Sequence, residues 1–128
     1  MDPHPRRSAE VVRTVAGGDT AAALGSGDLP VLGTPRLLAW AEAATVAALD
    51  GALPGGSTSV GTAVALDHLA PSAVGDVVTV GARMLSDDGR SVVLEVVATG
   101  ADGTVLARGT VERAVVDVAR FTARVARP

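Results

Sequence analysis

Three polar residues have side chains suited to acid–base or nucleophilic work and sit among apolar neighbours: Thr34, Glu42 and His68. Glu42 lies within "TPRLLAWAEAATVAALD", residues 34–50, which reads as an apolar helix. Its neighbours one helical turn away are Leu38, Ala39, Thr45 and Val46, and none of them can pair with a carboxylate charge. The other charges in the stretch, Arg36 and Asp50, are not among those neighbours. Such a glutamate is either a solvated residue on the outer stripe, where Glu is a good helix former, or a carboxyl group turned into a cleft. Apolar surroundings favour the protonated form of a carboxyl group. One that exchanges its proton near neutral pH can act as general acid or base.

His68 closes the run "VGTAVALDH", in which strict alternation puts Val60, Thr62, Val64, Leu66 and His68 on one strand face. Histidine is the commonest acid–base side chain, although one at a strand end can also be purely structural. Asp67 points to the opposite face and is a poor orienting partner. His4 falls in the N-terminal arm and is assigned no role. Thr34 precedes Pro35, a pattern that opens a helix with Thr as N-cap and Pro at the first helical position. A nucleophilic role for its hydroxyl requires an adjacent base. Gly61 would let a ligand or another backbone approach closely inside a strand. Its N–H or a neighbouring one could then face a developing oxyanion; a β-bulge is the plainer explanation of that glycine.

The elements that must position these residues follow from patterning. "AEVVRTVA" (9–16) reads as a strand and "DTAAALGSG" as a short helix with Asp19 as N-cap and Gly25 or Gly27 at its end. The long helix runs from Thr34 to about Leu49, where Asp50-Gly51 and Pro54-Gly55-Gly56 stop it. Four Val-rich, alternating segments come next. The last three are joined by hairpin turns at Asp87-Asp88-Gly89 and Ala101-Asp102-Gly103. "ARFTARVARP" closes the chain as a short helix. This order is α+β, with a long helix packed on one face of an antiparallel sheet. The helix carries enough alanine to be enclosed by a wrapping sheet.

Composition narrows the function classes. The chain has 128 residues, one domain's worth after an N-terminal arm over residues 1–8. Hydrophobic residues make up 48% but aromatics only 2%, so the core is built from Val, Leu and Ala, and association would bury more of it. The net charge is −3 and all eleven basic residues are dispersed arginines, which argues against a nucleic-acid partner. There is no cysteine, so disulfides, thiolate catalysis and Cys-based metal sites are excluded. No apolar run reaches a membrane span, and "MDPHPRRSAE" lacks the apolar segment of a signal peptide. The expectation is a soluble cytoplasmic protein. No P-loop, G-x-S-x-G, H-E-x-x-H or dinucleotide fingerprint is present.

"DTAAALGSGDLPVLGTP", "LLAWAEAATVAAL", "VGTAVALDHLAPSAVGD" and "GTVERAVVDVARF" together resemble the hotdog-fold thioesterases related to fluoroacetyl-CoA thioesterase. A Thr-Pro pair, a Glu eight residues after the Thr and a His thirty-four after it keep that family's spacings in Thr34, Glu42 and His68. The resemblance implies a hotdog domain over residues 9–128, a sheet around the long helix, and a homodimer with acyl-CoA sites at its interface. It implies a catalytic Thr34/Glu42/His68 set, substrate-binding roles for Gly61 and Arg113, and no metal or cofactor. Val111 replaces the histidine that usually stands two residues before that arginine. The implied activity is hydrolysis of an acyl-CoA or acyl-carrier thioester. A hotdog hydratase or dehydratase, or a non-catalytic acyl-CoA-binding module, are the alternatives. One geometric tension follows. Thr34 and Glu42 would stand roughly 12 Å apart along a continuous helix, so either Thr34 folds back in a loop or the site closes across a dimer.

Overall fold

The computed structural model describes residues 7–126. Strand β1 (Ser8–Thr14) leads through a 3₁₀ turn (Gly17–Asp19) into helix α1 (Ala21–Leu24) and then the long helix α2 (Thr34–Ala48). Strands β2 (Ser57–His68), β3 (Val77–Asp87), β4 (Ser91–Gly100) and β5 (Val105–Asp117) follow, and helix α3 (Val118–Val125) comes last. The arm expected over residues 1–8, with His4, lies outside the described residues except for its end. There, Ser8 already pairs with Arg83 in the sheet.

All five strands are antiparallel and lie in the order β1-β3-β4-β5-β2. Only β3, β4 and β5 form a meander. The two hairpins turn where expected, with Gly89 and Gly103 at φ near +89° and +86°, a conformation that glycine adopts without steric cost. β2 does not pair with its successor; it crosses to the far edge and pairs with β5 alone. Alternation buries Val78, Val80, Ala82 and Met84 on β3, and Val92, Leu94, Val96 and Ala98 on β4. Against this face α2 buries Leu37, Trp40, Ala41, Ala44, Thr45 and Ala48, which recur at helical spacing.

The enclosure of α2 is incomplete in one chain. Its other stripe leaves Ala39, Val46 and Ala47 exposed, with Val46 at 52%. A helix that is apolar on nearly every side is normally buried on every side. The two short helices also differ in detail from expectation. Thr20, not Asp19, caps α1 by accepting a hydrogen bond from Ala23 N–H. Asp19 instead accepts from Ala16 N–H at 2.8 Å, which closes the turn before it. Gly25 ends α1 in the left-handed conformation, as the sequence implies.

Candidate active site

The start of α2 is pinned from several sides. Leu32 is buried, its N–H bonds to the Ser72 carbonyl at 2.8 Å, and Gly33 N–H bonds to the Asp19 carbonyl at 2.9 Å. Arg36 lies in ion-pair contact with Asp19 at 2.9 Å, although its Nε makes no aligned hydrogen bond. A side chain at position 33 would meet Leu24 and the Ala21 backbone at 3.0 to 3.1 Å, so a glycine stands there. Gly33 serves as N-cap, its carbonyl accepting from Arg36 and Leu37 N–H, so the helix opens one residue earlier than the Thr-Pro pattern implies and Thr34 is its first residue. The loop that would fold Thr34 back is ruled out. The hydroxyl, free of capping duty, lies 2.8 Å from His68 Nδ1.

His68 is half-buried at the end of β2. Desolvation lowers its pKa from the ordinary 6.5, and a hydrogen bond to the Ala70 backbone acts more weakly in the opposite sense. The imidazole is therefore neutral at pH 7, and a neutral ring nitrogen facing a hydroxyl is a base facing a potential nucleophile. Beside it opens a cavity of ≈ 200 Å³, walled by Val31, Leu32, Leu69, Ala70 and Pro71.

A second group gathers around the middle of α2. Gly61 pairs with Arg113 on β5, and above this glycine the Arg113 guanidinium meets the Glu42 carboxylate at 3.3 Å. A Cβ at position 61 would stand 2.5 Å from Glu42 Oε2, so this seat exists only over a glycine. Arg113 is buried at 6% exposure. It donates from Nε to Ser59 Oγ at 2.9 Å and from Nη2 to the Ser59 carbonyl at 3.0 Å. Glu42 thus has a charge partner after all, from a strand seventy-one residues away and not from its own helix. Arg113 was expected to bind substrate; its described hydrogen bonds run to Ser59 and Glu42. Ser59 escaped the sequence reading. Its only signal was a position two residues before Gly61, and that means nothing until the β2–β5 register is known.

The face reading of β2 needs correction. Leu66 packs on the core, so His68 shares the α2 face with it, and yet Gly61, of opposite parity, also faces α2. The reason is a bulge. Gly61 pairs with Arg113 and Ala63 with Glu112, which leaves Thr62 as an extra residue. One extra residue inverts the alternation. Val60 therefore does not share the face of Val64, Leu66 and His68.

Thr34 and His68 thus meet at one end of α2, while Glu42, Gly61 and Arg113 meet further along it. The two groups are separated by roughly 12 Å along the helix and roughly 23 Å along β2. Within one chain the expected set falls into two separate groups.

A family model described as "Fluoroacetyl-CoA-specific thioesterase" (FlK) matches residues 15–119, most of the chain and every residue of both groups. The chain belongs to this thioesterase family. The fluoroacetyl-CoA thioesterase FlK is a structural neighbour at 28% identity and a TM-score of 0.87, with 98% of this chain and 96% of that one covered. A thioesterase-superfamily member from Thermus thermophilus superimposes at 0.88 with 26% identity over 97% and 92%. A hot-dog-like protein from Thermanaerovibrio acidaminovorans does so at 0.85 with 30% identity over 98% and 95%. Comparison with curated proteins found no match. The fold is the hotdog fold and the activity is thioester hydrolysis. Among the described residues no helix is long and apolar enough to cross a membrane.

Proposed function

We propose that this protein hydrolyses acyl-CoA thioesters in the cytoplasm, at a site completed when two copies associate. The observation that carries the reading is the 2.8 Å contact between Thr34 Oγ1 and His68 Nδ1, made by a hydroxyl with no capping role. Thr34 attacks the thioester carbonyl carbon while His68 takes its proton. The carbon–sulfur bond then breaks and CoA leaves as a thiolate, which needs little acid assistance. Water next attacks the acyl-threonine with Glu42 as its base, and the Thr34 oxygen regains a proton from His68. The oxyanion is faced by a backbone N–H at or beside Gly61. A structure of a threonine-to-serine mutant of FlK with bound acetyl-CoA supports acyl-CoA as the substrate class.

The second copy supplies what one chain leaves open. Glu42 and Gly61 stand too far from Thr34 and His68 to share one thioester, so each site takes Thr34 and His68 from one chain and Glu42 and Gly61 from the other. The edge of β2, unpaired on its outer side among the described residues, and the exposed stripe of α2 around Val46 are the surfaces that would meet. The test is thiol release from acetyl-, branched short-chain, medium-chain and phenylacetyl-CoA. Wild type is compared with Glu42→Gln and His68→Ala. Release abolished by both substitutions supports the reading. No release from any acyl-CoA by a folded dimer overturns it in favour of a carrier-protein substrate or a binding role.

A further inference from the structure

We infer that Ser59 is a positioning residue for the reaction and acts through Arg113 on Glu42; this rests on the acid–base role proposed above for Glu42. Arg113 is the only buried cation among the described residues. A guanidinium has five N–H groups in a rigid plane, so fixing two directions of the fork fixes the third. Ser59 fixes two of them, with its hydroxyl on Nε at 2.9 Å and its carbonyl on Nη2 at 3.0 Å. Nη1 is thereby aimed at Glu42 Oε2, 3.3 Å away.

The register explains the reach. Ser59 pairs with Val115, so Arg113 lies diagonally across from it on β5, within reach of a long side chain. Gly61 clears the space through which the guanidinium meets the carboxylate. Thr45 on the same helix donates to the Glu42 carbonyl and not to its carboxylate, so among the described residues Arg113 is the carboxylate's one polar restraint. Without it the carboxylate, at 35% exposure, is free to choose among rotamers. Arg113 therefore serves the reaction by holding Glu42.

The test is a double-mutant cycle on kcat with acetyl-CoA or whichever acyl-CoA is turned over fastest. Ser59→Ala lowers kcat roughly tenfold while KM stays within about twofold, and Ser59→Thr, which keeps the hydroxyl, recovers most of that loss. In a Glu42→Asp background, where the carboxylate is too short for the fork to hold but turnover stays measurable, Ser59→Ala costs little further. A merely structural serine would cost the same factor in both backgrounds, and that result overturns the inference. So does a rise in KM at constant kcat, which would mean Arg113 contacts substrate. Full activity in Glu42→Gln alone would instead refute the role of Glu42. An impaired Glu42→Gln beside a fully active Ser59→Ala refutes only the clamp.

Discussion

Gly61 and His68 stand seven residues apart on one strand and yet face the same helix, because Thr62 is an extra residue between them. An odd spacing should have put them on opposite sides of the sheet. The bulge thus lets one strand face the helix at two points, with Gly61 under Glu42 and His68 beside Thr34.

Gly61→Ala tests the seat. The new methyl would stand 2.5 Å from Glu42 Oε2, so the carboxylate must move. Because the obstructed atom is the end of a flexible side chain, the fold absorbs the change and the melting temperature stays close to wild type. A displacement of about 1 Å at a reacting group costs on the order of 10²-fold in rate. Steady-state kinetics beside a thermal melt reads both quantities, and unchanged kcat would argue against a working Glu42.

Thr34 separates nucleophile from water-positioning group. Thr34→Ser keeps an oxygen within reach of His68 and retains most of the activity. Thr34→Ala loses on the order of 10³-fold or more in kcat, as removal of a nucleophile does. Mass spectrometry of the wild-type chain quenched during turnover should find the acyl group on the peptide containing Thr34. Near-normal turnover by Thr34→Ala would mean that water attacks directly.

The pH profile follows from the burial of His68. Desolvation lowers its pKa below 6.5, so the neutral, basic form persists further into acid than in a free histidine. Activity is full above that pKa and falls as pH drops through it, which puts the acid limb of kcat/KM below pH 6.5. Stability has the same sign. Between the two pKa values the unfolded chain binds the proton that the folded one refuses, so His68 costs stability as pH falls below 6.5. An imidazole NMR titration, with His4→Ala used to assign the remaining signal, gives the pKa directly.

Much of this molecule is readable in its residues. The five strands, the long helix, both hairpins and the closing helix lie near their expected places, because Val alternation, Ala–Leu periodicity and Asp-Gly turns are local signals. The Thr34/Glu42/His68 spacing is readable too, as a family pattern. What is not readable depends on register. The position of β2 at the far edge, the bulge at Thr62 and the Ser59–Arg113–Glu42 clamp each depend on residues some fifty to seventy positions apart in the chain. Thr34 looked like a cap because Thr-Pro usually is one. Gly33 takes that place, at a point where the Ala21 backbone leaves no room for a side chain, and no local pattern encodes that packing.

Association should be separable from folding. Val46→Glu places a charge in the exposed apolar stripe of α2 without touching the core. The variant should stay folded by circular dichroism, sediment as a monomer, and lose activity in proportion to the monomer fraction. A fully active monomer would contradict a site built from two chains.

The most direct test of the two half-sites is complementation between two inactive variants. His68→Ala and Glu42→Gln are each purified, mixed and allowed to exchange subunits. In a mixed dimer one site receives both lesions, while the other takes Thr34 and His68 from one chain and Glu42 from the other, all intact. Random exchange at equal amounts then restores about a quarter of wild-type activity per chain. If exchange is complete and the mixture stays as inactive as its parents, Thr34, His68 and Glu42 do not meet across two chains, and the account fails.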